Sequence, residues 1–140
     1  MDRIVLDTHI VLDWLLFREP AVEPLRLAVE SGQLQWLVCD RMREEFDHMV
    51  KHPRFARWLP DVPGSLATFD RYSVSVEVGA PGYRPQARCT DPDDQVFIDL
   101  ALAQKARWLV SRDRALLKLA RRTKPLGLLV VTPEAWPTTR

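Results

Sequence analysis

Four carboxylates stand where chemistry could be done: Asp7, Glu45, Asp94 and Asp113. Asp7 ends a short apolar run, Arg3 to Leu6 (RIVL), and Asp113 follows shortly after another, Trp108 to Val110. Asp94 lies in the first turn of a helical segment opened by Asp91-Pro92-Asp93-Asp94, and Glu45 lies on a helical segment that follows Leu34 to Val38. Carboxylates brought together repel, and their charged forms are costly without a countercharge. A divalent cation removes that cost. Oxygen donors without Cys or His pairs favour Mg²⁺ or Mn²⁺ over Zn²⁺. Such a cation activates water and stabilises charge on a phosphoryl oxygen.

Taken one at a time, these acids have a simpler reading. Asp7, Asp91 and Asp113 each precede a helical segment, and Asp is a preferred N-cap. Only the joint pattern points to a cation. His48 and His52 stand four apart on one predicted helix, a spacing that can bind metal. No HExxH surrounds them, and Pro53 ends the helix there. His9 follows Asp7 closely and could line a cleft. Cys39 and Cys89 match no metal or redox spacing and read as two reduced thiols of a cytoplasmic protein. There is no Gly-rich phosphate loop and no supported Ser/His/Asp arrangement.

The elements that must position the acids alternate. The expected strands are Arg3 to Leu6, Leu34 to Val38, Ser73 to Val78, Trp108 to Val110 and Leu128 to Val131. Ser73 to Val78 (SVSVEV) alternates polar and apolar residues, as a strand near an edge does. Helices are expected over His9 to Phe17, Ala21 to Ser31 (closed by Gly32), Asp40 to about Lys51, and Pro63 to Tyr72, with a further turn over Arg54 to Leu59. Asp40 is the expected cap of the third of these. Gly79 to Thr90 reads as loop. The longest helix is expected from Asp91 to about Ala106, and a basic helix after Asp113 runs to about Arg122. Thr132-Pro133-Glu134 starts a closing turn.

Strands alternating with helices give a parallel sheet covered on both faces, with ligands bound at the carboxyl ends of the strands. At 140 residues, without repeats or low-complexity segments, the chain reads as a single domain, 1–140. Its composition, 46% hydrophobic and 28% charged, is that of a globular protein. No apolar run approaches the roughly 20 residues of a membrane helix, and Met1-Asp2-Arg3 leads straight into a strand-like run without a signal peptide. A net charge of +1 says nothing about partners. Between Lys105 and Lys124, however, eight Lys and Arg side chains stand against a single acid, Asp113. That stretch could follow a phosphate backbone, with Arg112, Arg114, Lys118 and some of Arg121-Arg122 as contacts, or could be a solvated helix face.

Three segments carry a resemblance. Ile4 to Leu16 (IVLDTHIVLDWLL) resembles the opening strand and helix of PIN domains. Arg43 to Phe55 (REEFDHMVKHPRF) resembles the second motif in the form of a toxin-component subgroup, and Asp91 to Leu117 (DPDDQVFIDLALAQKARWLVSRDRALL) resembles the third and fourth motifs. The resemblance implies an α/β/α sandwich around a five-stranded parallel sheet and a Mg²⁺- or Mn²⁺-dependent endoribonuclease. Many relatives are toxins of bacterial toxin–antitoxin pairs, inhibited by a partner protein and often homodimeric. It carries over Asp7, Glu45, Asp94 and Asp113 as catalytic metal ligands, with Thr8 and Ser111 at small hydroxyl positions beside the first and fourth acids. The family often has Asn two residues after the first acid, where this chain has His9. Asp91 and Asp93 remain alternatives at the third position.

Two other readings compete. A phosphatase or receiver domain would need a second Asp two residues after the nucleophile or an adjacent acidic pair, and Asp7-Thr8-His9 offers neither. A non-catalytic PIN-like binding module would be expected to have lost some of the acids.

Helix phase chooses between Glu44 and Glu45. Met42, Phe46, Met49 and Val50 fall within an arc of roughly 100° that must face the sheet. Glu44 lies about 175° from its centre and is expected in water. Glu45 lies about 85° away, at the expected border of core and solvent.

Overall fold

The computed structural model of the protein describes residues 1–58, 60–78 and 88–140. Its first strand, β1 (Asp2–Leu6), is fully buried over Ile4, Val5 and Leu6. Consecutive burial leaves no solvent face and marks a central strand of a sheet covered on both sides. β2 (Leu34–Val38) and β4 (Trp108–Val110) read the same way, while β3 (Ser73–Ser75) and β5 (Leu129–Val131) complete five strands. All four pairings are parallel, and the order is β3-β2-β1-β4-β5. The chain thus builds outward from β1 in one direction, then crosses back to build outward in the other.

Right-handed crossovers place the helices before and after that reversal on opposite faces. On one side are α1 (Thr8–Leu12), α2 (Glu23–Glu30), α3 (Asp40–Val50) and α4 (Val62–Tyr72). On the other are α5 (Gln95–Ala103), α6 (Arg114–Leu117) and α7 (Ala120–Thr123). Trp36 is fully buried between Trp14 and Phe69, with ring centres 5.1 and 4.7 Å away. Trp108, which shares Ile4 as ladder partner with Trp36, packs edge-on against Trp136.

Several elements differ from the sequence-based expectation. The helix after Asp7 is α-helical only to Leu12 and widens into a π turn over Asp13–Phe17, which Arg18 ends in a left-handed conformation (φ 52°). The edge strand β3 has three residues rather than six. The third helix is capped by Cys39, with Asp40 inside its first turn. The helix after Asp94 is shorter than α3 and α4 and ends at Ala103, not Ala106. There Lys105 turns left-handed (φ 54°) and the Ala106 amide reaches back to the Ala101 carbonyl at 2.8 Å. This is a Schellman ending built without the usual glycine. The expected basic helix is two short ones, α6 and α7, followed by a 3₁₀ turn over Lys124–Leu126. The expected loop over Gly79 to Thr90 lies mostly outside the described residues.

Candidate metal centre

The point where the sheet reverses its direction of growth lies between β1 and β4, and open α/β sheets bind ligands there. Leu6 pairs with Val110, so the next residues of the two strands, Asp7 and Ser111, emerge side by side at the carboxyl edge. The Asp7 amide donates to the Val110 carbonyl at 3.2 Å, which continues the ladder one step further.

Asp7 is 4% exposed. Its extended backbone lets it cap α1, where Oδ1 accepts from the Ile10 amide at 3.0 Å. Its other oxygen, Oδ2, accepts a short hydrogen bond from the Ser111 hydroxyl. That hydroxyl, fully buried, in turn accepts from the Asp113 amide at 2.9 Å. Asp113 caps α6 by accepting from the Ala115 amide at 2.8 Å. Thr8 is buried beside Asp7. Ser111 therefore joins the first and fourth acids of the sequence motif through a single oxygen.

Asp94 completes the group from the other segment. It ends a 3₁₀ turn over Pro92–Asp94 that Asp91 caps by accepting from the Asp93 amide at 3.0 Å. Its Oδ2 is buried and has no hydrogen-bond partner. Burial, then the neighbouring Asp113 side chain and its charge, then the charges of Asp91 and Asp7 push the Asp94 carboxyl up to about 7. Burial also raises Asp7, against the opposing pull of the Ser111 and Ile10 hydrogen bonds. The three aspartates thus feel one another's charge, and the excess is negative.

Glu45 is not drawn into this group. It is exposed on α3, as Glu44 is, and makes no hydrogen bond or ion pair among the described residues. The expected border position is not seen. The buried stripe of α3 is the narrow i, i+4 row Met42, Phe46, Val50, and its flank stands in solvent. α3 does pack against α1, the helix that Asp7 caps. Asp91 and Asp93 are exposed. His52 lies beyond the end of α3, where its Nδ1 accepts from the Arg54 amide at 3.1 Å.

The basic segment divides. Arg114 and Lys118 are exposed, with no side-chain partner among the described residues. Arg112 is held between two carboxylates: a short ion pair to Asp13 and one of 2.8 Å to Glu134. Sequence reasoning did not single out Asp13 or Glu134. Asp13 is separated from Arg112 by 99 residues, so no local pattern could signal the pair.

The chemistry of the donor set fits a hard divalent cation. Three carboxylates crowd together, one carboxyl is driven towards its neutral form, and one buried oxygen lacks a partner. The described residues do not form a ready cage: no three His, Cys, Asp or Glu side chains among them are arranged to close on a metal ion. A separate cavity of about 660 Å³, walled by Trp14, Trp58, Arg18 and Glu19, includes none of Asp7, Glu45, Asp94 and Asp113.

The fold is a doubly wound α/β sheet with aspartates gathered at its reversal point. The sequence model of the PIN domain matches residues 3–115. The chain belongs to the PIN-domain family. Comparison with curated proteins found no match. Among solved structures, its fold is similar to a chain in the crystal structure of VapBC2 from Rickettsia felis bound to a DNA fragment from their promoter. The TM-score is 0.59 at 12% identity, covering 93% of this chain and 98% of that one. No helix among the described residues is long and apolar enough to cross a membrane.

The raised carboxyls have a consequence for stability. A carboxyl whose folded pKa lies above its unfolded value binds protons more tightly when folded. Its contribution is therefore present below about pH 4 and is lost as pH rises towards about 7. In EDTA, the melting temperature of Asp94→Asn should draw ahead of the wild type progressively across that window, and the two should converge at the acid end. The difference cancels ordinary surface carboxylates such as Asp47 and Asp70, which are shifted the other way. A gap that closes with rising pH would show that Asp94 is stabilised by its charge.

Proposed function

We propose that this protein is a Mg²⁺- or Mn²⁺-dependent endoribonuclease that cleaves RNA phosphodiester bonds and serves as the toxin of a toxin–antitoxin pair. The observation that carries the reading is the uncompensated aspartate cluster at the sheet's reversal point, with Asp94 pushed up to about 7. Membership of the PIN-domain family supports the nuclease class. The toxin role is supported by the form of the second motif, Arg43 to Phe55. A fold neighbour that belongs to VapBC2 supports an antitoxin-type partner protein. The cytoplasm is the compartment that this reading implies, and two free cysteines fit it.

Asp7, Asp94 and Asp113 would hold the cation, and Glu45 would join them from α3 with no side-chain partner to give up. When bound, the cation supplies charge stabilisation at the scissile phosphate and lowers the pKa of water. The remaining work belongs to the chain. Ser111 ties the Asp7 carboxyl to the Asp113 backbone amide. Thr8 is buried next to Asp7 in the chain, and Asp91 shapes the turn that delivers Asp94. Arg114 and Lys118 lie on the helix that starts at Asp113 and would hold the RNA backbone as it passes the acids.

Cleavage of a single-stranded RNA should stop in excess EDTA and return with Mn²⁺. Asp7→Asn should lose more than the roughly 10–100-fold typical of an outer-shell partner, while the circular dichroism spectrum stays unchanged. Cleavage that persists in EDTA would refute the reading.

The two glutamates of α3 can be ranked by Mn²⁺ titration. Glu45→Gln should weaken binding by about 10-fold, and Glu44→Gln should match the wild type. The reverse order in two folded variants would move the ligand by one residue.

Substrate contact is read from salt dependence. Each lost phosphate contact to a single strand flattens the log–log salt slope by about 0.7. An Arg114→Gln, Lys118→Gln double variant should therefore bind RNA with a slope about 1.4 shallower. An unchanged slope would return both side chains to the role of a solvated face.

A further inference from the structure

Arg112 was expected on sequence grounds to touch RNA, yet its surroundings suit another role. The turn Ser111-Arg112-Asp113 leaves β4 with alternating directions. Ser111 points inward to Asp7, Arg112 points outward, and Asp113 turns back to cap α6. The outward guanidinium reaches two different elements. One arm meets Asp13, which begins the π turn after α1 and whose side chain is only 13% exposed. The other meets Glu134, in the turn after β5, at 2.8 Å.

This places two links in parallel. The buried link, Ser111 to Asp7, ties the turn to the start of α1. The outer link, Arg112 to Asp13, ties the same turn to the end of α1. On its other side the turn is tied to β5 by the Ser111 amide to the Val131 carbonyl at 3.0 Å, and to the residues after β5 through Glu134. A cation flanked by two anions carries a net charge of −1, a poor partner for a phosphate backbone. A planar fork holding two carboxylates is instead what arginine does well.

We infer that Arg112 is a positioning residue: it clamps α1 and the residues after β5 around the Ser111–Asp113 turn and so sets Asp113 relative to Asp7 for the cation. The inference rests on the metal-dependent reading above. Because the guanidinium is partly exposed and exposed ion pairs are individually weak, the effect should be smaller than for a buried outer-shell partner. An affinity loss of about fivefold is expected, against roughly 10–100-fold for such partners.

The test is Mn²⁺ binding, followed by the electron paramagnetic resonance signal of the free ion, for wild type, Arg112→Gln, Arg112→Lys and Glu134→Gln. RNA binding in EDTA is measured across a salt series in parallel. The clamp predicts that all three variants lose Mn²⁺ affinity and keep the wild-type salt slope. Lysine keeps the charge but lacks the fork, and Glu134→Gln removes one arm while leaving Arg112 in place. An RNA contact predicts the opposite: Arg112→Lys close to wild type, Glu134→Gln binding RNA more tightly, and Mn²⁺ affinity unchanged in both. A clamp that only supported the fold would lower the melting temperature and leave Mn²⁺ affinity as it was. Either result overturns the inference. Should Arg112→Gln fail to fold, the Lys variant and the exposed Glu134 site decide the matter. A wild type that binds no Mn²⁺ overturns the metal-dependent reading and the clamp together, whereas a wild type that binds it as tightly as all its variants overturns the clamp alone.

Discussion

The Ser111 hydroxyl lies between Asp7 and Asp113, donating to the carboxylate of one and accepting from the amide of the other. The carboxyl edge of the sheet depends on that oxygen. Asp7 is almost wholly buried, and a buried carboxylate is costly unless hydrogen bonds replace the water it has lost. The Ile10 amide supplies one such bond by way of the helix cap, and Ser111 supplies the other. With both in place, burial still wins, and the Asp7 pKa stays above its ordinary value. The molecule thus keeps an acid where its charge is poorly served, and it places two more within its field.

Capping and ligation are often treated as rival explanations for an Asp at the start of a helix. Here they work together. Asp7, Asp91 and Asp113 all cap helices or turns. At Asp7 and Asp113 the backbone bond uses one oxygen and orients the carboxyl as a whole. Asp94 shows the complementary case: no side-chain cap bond, and a buried oxygen without a partner. The caps make the site rigid, and the uncapped member carries most of the electrostatic burden.

The parallel sheet was legible because burial on both faces demands unbroken apolar runs, and IVL, WLV and LVV stand out against their surroundings. Asp7 was legible for the same reason, as the first polar residue after such a run. Helix ends were less so. Lys105 stops α5 in a left-handed conformation that usually calls for glycine, and nothing in its side chain announces that. The two short helices after Asp113 read as one because no Gly or Pro stands between Arg114 and Thr123 to mark a break. Glu45 was placed at a border by helix phase, but phase fixes only a direction around the axis. Whether a neighbour fills that direction depends on packing, and on α3 the side chain is left in solvent.

The sequence by itself determined the local rules: which segments are strands, which acids follow them, and which Asp can cap a helix. These follow from periodicities of two and about 3.6 residues and from the chemistry of single side chains. The tertiary structure decided which of those residues meet. Asp7 and Ser111 are 104 residues apart and touch only because β4 returns to lie beside β1 in the order β3-β2-β1-β4-β5. The Arg112 link to Asp13 arises in the same way, across 99 residues. Strand order is set by the burial of whole faces and the handedness of crossovers, which are properties of the assembled chain, so no window of local sequence encodes them.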